Sequence, residues 1–223
     1  RNGHVALENC AIAMETSVAT YGVQPKVKSV KTSEHRGVYR PYNHYKTREV
    51  ADNYNELKLA FKDGWSLEFR AYDNGAAYRI VTAAKGTMTV SNETVEYRMP
   101  QEAQVCLSLE NMPGEKDPFR TMYERKYTFE KVAQLDAEKQ MSYLPILATT
   151  DNWVMLITET DLYDYPAVFF HSDSTDVLKS LFPKVVNKTE PYNARRETVI
   201  GTENYIAETD AARTFPWRVI TLV

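Results

Sequence analysis

The stretch Leu57-Lys58-Leu59-Ala60-Phe61-Lys62-Asp63-Gly64-Trp65-Ser66-Leu67-Glu68-Phe69-Arg70-Ala71-Tyr72-Asp73-Asn74-Gly75-Ala76-Ala77-Tyr78-Arg79-Ile80-Val81 decides the fold class. Its period is two. Leu57, Leu59 and Phe61 alternate with Lys58 and Ala60; past Asp63-Gly64, Trp65, Leu67 and Phe69 alternate with Ser66, Glu68 and Arg70. Successive side chains of a strand point to opposite faces, so such alternation puts its apolar residues on one face. An Asp-Gly pair between two alternating runs predicts a hairpin closed by a type I′ turn, which needs positive φ at both central residues. Asp73-Asn74-Gly75 supplies a second turn. The stretch reads as a three-strand meander with Trp65, Leu67 and Phe69 on one buried face and Ser66, Glu68 and Arg70 on the other side.

Further strand-like runs lie at 87–90, 94–98, 104–109, 123–129, 153–158, 167–171, 196–202 and 217–223. Gly, Pro and Asn turns separate them. Residues 132–141 have a weak helical stripe that Pro145 keeps short, and residues 173–182 predict one or two helical turns capped by Ser172 or Ser174. Residues 36–48 mix His, Tyr, Arg and Asn without period and read as a long irregular loop. The expected architecture is all-β: two large antiparallel sheets face to face in one domain spanning 1–223.

Composition excludes whole classes. The chain has 223 residues, 43% hydrophobic and 26% charged, and a net charge of −3. That length buries roughly 70% of the surface its unfolded form exposes, enough for a large core. With no basic excess there is no nucleic-acid footprint, and no apolar run approaches a membrane span. Cys10 and Cys106 are too far apart in sequence for CxxC chemistry; they read as two buried free thiols or as one bridge in an exported protein.

Catalytic motifs are scarce: GxSxG, the P-loop, GxGxxG and HExxH are all missing. His4, His35, His44 and His171 have no metal-binding spacing. The densest acidic group is Thr158-Glu159-Thr160-Asp161-Leu162-Tyr163-Asp164-Tyr165-Pro166, just after an apolar strand. Oxygen ligands clustered at a strand end suit a hard cation such as Ca²⁺, yet the spacing is not DxDxDG, and solvated loop acids are the plainer reading. Fifteen Tyr, eight Phe and three Trp offer faces on which sugar rings stack, although Trp65 and Trp153 fall on strands and are expected in the core.

Read as whole strings, four segments resemble the N-terminal domain of glycoside hydrolase family 97, the SusB-like α-glucosidases and α-galactosidases. They are Asn53-Tyr54-Asn55-Glu56-Leu57, the run from Leu67 to Arg79, the run from Ile157 to Pro166, and Pro216-Trp217-Arg218-Val219-Ile220. Order and spacing match from about Asn53 to the end.

The resemblance implies a galactose-mutarotase-like super-sandwich that precedes a (β/α)-barrel holding the catalytic carboxylates. This chain is then expected to carry no catalytic residue and to be inactive alone. It also implies that the domain packs on its own C-terminal barrel near an oligosaccharide substrate. There it lends one glutamate to a Ca²⁺ held mainly by the barrel, a role that falls on Glu159, while Asp161 and Asp164 stay loop acids. Beyond its apolar strand, the Glu159 side chain is expected to face solvent in the isolated domain. The implied location is the periplasm or outer membrane of a Gram-negative bacterium. Two other functions fit the fold: a free-standing carbohydrate-binding sandwich, and a mutarotase-type epimerase, which needs a His and a Glu in one cleft.

Overall fold

The computed structural model describes residues 3, 5–43, 46–111, 118–119, 121–194 and 196–223, Arg196 by its backbone alone. Strands dominate. The first three are β1 (Ile12–Thr16), β2 (Thr20–Tyr21) and β3 (Val27–Tyr39). The meander forms β4 (Val50–Phe61), β5 (Trp65–Tyr72) and β6 (Gly75–Thr82). Then come β7 (Thr87–Arg98), β8 (Gln104–Asn111), β9 (Tyr127–Glu130), β10 (Gln140–Tyr143), β11 (Ile146–Thr149) and β12 (Val154–Thr160). The rest are β13 (Phe169–Ser172), β14 (Val177–Leu181), β15 (Val186–Asn193), β16 (Arg196–Thr202), β17 (Ala207–Asp210) and β18 (Trp217–Leu222).

Pairing is antiparallel throughout. One layer runs β2-β1-β7-β14-β13-β10-β8 and the other β8-β11-β12-β18-β6-β5-β4-β3, with β8 common to both. The layers face each other: the rings of Tyr21 on β2 and Trp65 on β5 lie 5.6 Å apart. Between them sit Met14, Val90, Val95, Leu107, Ile146, Met155 and Ile157, all fully buried. These are the two facing antiparallel sheets expected from the period-two pattern, in the super-sandwich that the family resemblance implies. Trp65 and Trp153 are in its core, as anticipated.

Several local expectations change. The β4–β5 loop is Lys62-Asp63-Gly64, and only Gly64 has positive φ (85°). Its N–H reaches the Phe61 carbonyl at 3.4 Å. This is the three-residue hairpin loop with a left-handed glycine, not a two-residue type I′ turn. Residues 173–182 are not helical: Asp173 takes the Thr175 N–H in a tight turn, and β14 follows. Residues 132–141 give only a 3₁₀ turn, Val132–Gln134, before β10. The segment 36–48 is not all loop, because β3 continues to Tyr39 and pairs Tyr39 with Val50. That strand is exposed along nearly its whole length, so no apolar alternation marks it. Cys10 and Cys106 are free, half-buried thiols. His4 and His44 lie outside the described residues.

Both faces of β5 are covered near its start. Trp65 and Leu67 are buried inward, while Ser66 and Glu68 are buried on the other side. There Glu68 accepts from Lys58 at 2.7 Å and from Arg79 at 2.8 Å. Arg79 and Arg70 in turn stack over the Trp217 ring at 4.3 and 4.5 Å. Phe69 shares the inward side but is only half-buried, because the sandwich opens toward the far end of β5.

The two positions should therefore differ in energetic weight. Leu67→Ala is expected to cost about 2–5 kcal/mol in urea unfolding, the usual range for a buried leucine. Phe69→Ala, at a half-covered site, should cost roughly half of the 3–5 kcal/mol typical of a core phenylalanine. A loss at Phe69 well above that at Leu67 would show that the layers close over the far end of β5.

Candidate functional site

Glu159 lies near the end of β12, in phase with Met155 and Ile157 on the inward face of that strand. Its cross-strand partner is Arg218 on β18, which is in phase with Ile220 and Leu222. From the opposite layer β7 brings Glu93, in phase with Val95 and Tyr97. Three charged groups thus meet between the layers, each on the apolar side of its own strand. Burying them is costly unless they are paired and hydrogen-bonded.

They are paired. Arg218 donates from Nε to Glu93 Oε1 at 3.0 Å and from Nη2 to Glu93 Oε2 at 2.7 Å, a two-pronged fork. Its Nη1 donates to Glu159 Oε2. The Val168 N–H donates to Glu159 Oε1 at 3.2 Å and to Oε2 at 3.4 Å. Glu93 is itself anchored, since the Ser180 hydroxyl donates to its backbone carbonyl at 2.7 Å. Side-chain exposure is 1% for Arg218 and 6% for Glu159. The Glu159 side chain therefore does not face solvent, contrary to the expectation for a rim residue.

Two carboxylates share one guanidinium, so the group carries one negative charge in excess. Burial pushes the Glu159 carboxyl up; Arg218 and the Val168 N–H pull it down, Glu93 pushes it up again, and the net direction is upward. Burial alone would disfavour the Arg218 cation, but Glu93 and Glu159 outweigh that and hold it charged. The phenols of Tyr78, Tyr97 and Tyr165 nearby are pushed up, chiefly by burial, and stay neutral.

The loop after Glu159 is held by its backbone. Arg213 donates to the Tyr163 carbonyl at 2.8 Å and to the Asp164 carbonyl at 3.4 Å. Asp161 and Asp164 have positive φ and are exposed, so they are loop acids as anticipated. Among the described residues no three His, Cys, Asp or Glu side chains form a metal-binding group. Of the histidines described, His35 pairs with half-exposed Asp52 at 3.2 Å and stacks on Tyr54. His171 sits half-buried within β13. All three tryptophans are buried and present no open ring face. No described helix is long and apolar enough to cross a membrane.

Sequence reasoning singled out Glu159 but assigned no role to Glu93 or Arg218. The signal was available: in each of the three strands a lone charge falls on the apolar phase, as in Glu93-Thr94-Val95-Glu96-Tyr97. Such a charge must find a buried partner or stay unfolded.

Known proteins give this arrangement a context. The sequence profile described as Glycosyl-hydrolase 97 N-terminal matches residues 1–223. A retaining alpha-galactosidase of Bacteroides thetaiotaomicron is 32% identical over 186 residues, covering 80% of this chain and 28% of that protein. Among solved structures, a beta-arabinopyranosidase superposes with a TM-score of 0.80 at 21% identity, over 100% of this chain and 35% of its own. A glycoside hydrolase family 97 enzyme in complex with acarbose, from Pseudoalteromonas sp. strain K8, gives a TM-score of 0.74 at 17% identity, over 98% of this chain and 31% of its own. The chain thus spans about a third or less of the length of the proteins it matches.

The excess charge has a measurable consequence. A carboxyl whose folded pKa lies above its ordinary value of 4.5 stabilises the fold when protonated, and that contribution is lost as pH rises through the folded pKa. Glu159→Gln, shaped like the protonated acid, should leave the unfolding midpoint of this chain at pH 7 equal or higher and flatten its decline above pH 4.5. Arg218→Met leaves two buried carboxylates without a counter-charge and should cost about 3–5 kcal/mol. A Glu159→Gln midpoint far below wild type at pH 7 would contradict the charge count.

Proposed function

Because the chain belongs to the glycosyl-hydrolase 97 N-terminal family, we propose that it serves as the non-catalytic domain of an α-glucoside- or α-galactoside-hydrolysing enzyme, packed on a C-terminal (β/α)-barrel. Glycoside hydrolysis takes two carboxyl groups flanking the scissile bond, and in this reading the barrel supplies both. The domain's own contribution is Glu159, offered as one ligand to a Ca²⁺ at the barrel's active site. The alpha-galactosidase relative supports the reaction class.

The residues fit a share of such a site and not the whole of it. Ca²⁺ takes six to eight oxygens, many of them carboxylate. Each carboxylate oxygen has two lone pairs; Glu159 Oε2 accepts from Arg218 and from the Val168 N–H, and Oε1 accepts from the Val168 N–H alone. A lone pair on Oε1 is left for a cation. When bound, the ion supplies a fixed positive charge and a Lewis acid to the substrate pocket. Arg218 and Val168 orient the carboxylate, and the layers of the sandwich keep it rigid. The observation that carries this reading is the uncompensated negative charge at Glu159, a strand-end carboxylate that a cation would neutralise.

Two measurements test it. The 223-residue chain alone is expected to release no p-nitrophenol from p-nitrophenyl α-glucoside or α-galactoside above a buffer blank. In the enzyme that joins this domain to its barrel, Glu159→Gln should weaken Ca²⁺ binding and lower activity, with partial recovery on adding Ca²⁺. Activity and chelator sensitivity that are both unchanged by the substitution would remove Glu159 from the ion.

A further inference from the structure

Arg218 poses an electrostatic problem for any cation bound by Glu159. A guanidinium held directly against a carboxylate neutralises it and repels a second positive charge from the same oxygens. Glu93 changes the balance. It takes two of the guanidinium's hydrogen bonds, at 3.0 and 2.7 Å, against one from Arg218 to Glu159. Glu93 belongs to the opposite layer, 125 residues away in sequence, and its side chain is only 3% exposed.

We propose that Glu93 is a positioning residue for the cation site: by neutralising Arg218 across the sandwich, it lets Arg218 orient the Glu159 carboxylate without cancelling its charge. The inference rests on Glu159 being a ligand, as set out above, and adds a residue that need not touch the ion. Arg218 and Glu93 together form an electrically neutral pair. Glu159 keeps its full negative charge while its oxygens are fixed by Arg218 and the Val168 N–H. Remove the Glu93 charge, and Arg218 turns from a neutral clamp into a competitor for the same carboxylate. At an effective dielectric constant near 20, one unit charge within about 10 Å of the ion changes its affinity by on the order of tenfold or more.

The test is Ca²⁺ binding by isothermal titration calorimetry to the metal-stripped enzyme carrying this domain and its barrel. Thermal midpoints with and without Ca²⁺ give an independent reading. Glu93→Gln should raise Kd by about tenfold or more and shrink the Ca²⁺-dependent rise in midpoint. Glu93→Asp, which keeps the charge, should bind within about threefold of wild type, a rescue that a purely packing role would not produce. Should Glu93→Gln fail to fold, Glu93→Ala, which leaves room for water beside the Arg218 guanidinium, takes its place with the same expected loss. An unchanged Kd in the uncharged variant, or about a tenfold loss in Glu93→Asp, overturns the role of Glu93. If Glu159→Gln itself leaves Kd unchanged, the ligand assignment falls, and that outcome is separate from the first two.

Discussion

The fork between Arg218 and Glu93 is the one polar contact on which the geometry between the layers depends. It ties β18 of one layer to β7 of the other with two hydrogen bonds inside a largely apolar core. A hydrophobic pair in that place would give similar or better stability, because desolvating charges is expensive. What it would not give is direction. The planar guanidinium fixes distance and angle at once, and Glu159, its cross-strand neighbour, inherits that placement. The core near this point is therefore built around orientation as much as burial.

The opposite side of the same sheet uses the same chemistry differently. Glu68 bridges Lys58 and Arg79, Arg70 pairs with Glu56, and two guanidiniums cover the faces of Trp217. Those pairs are partly wetted, so each adds little energy alone. Together they cover the Trp217 ring, which would otherwise stand open on the outer face. Neighbouring residues of β18 thus serve opposite sides: Trp217 outward, Arg218 inward.

Much of the fold was legible because apolar alternation is strong where one face is buried. The meander from β4 to β6 and the runs that became β8, β12 and β18 were all visible in the period. The sequence was silent where burial is missing. β3 is exposed along almost every residue, so Val30, Val38 and Tyr39 left no pattern. β14 was misread because the Ser and Asp before it suit a helix cap and a strand-entry turn equally. Glu159 was singled out by family likeness and by its place after an apolar strand. Glu93 and Arg218 were passed over because charges suggest surface, and only pairing across the layers explains their burial.

The position of β18 also governs the order in which the sheet can be assembled. It is inserted between β6 and β12, and Gly75 of β6 lets it come close: a Cβ there would lie 2.2 Å from the Ile220 carbonyl oxygen. Until that strand arrives, β6 has only β5 as a neighbour, and the ladder edges of β6 and β12 stay open. During synthesis, the meander is thus available early as a hairpin stack, but the two halves of its sheet join only when β18 leaves the ribosome. Closure is a late, long-range event. The strand that seals the sheet also carries Arg218, which orients Glu159, so that carboxylate cannot be set before the sandwich is whole.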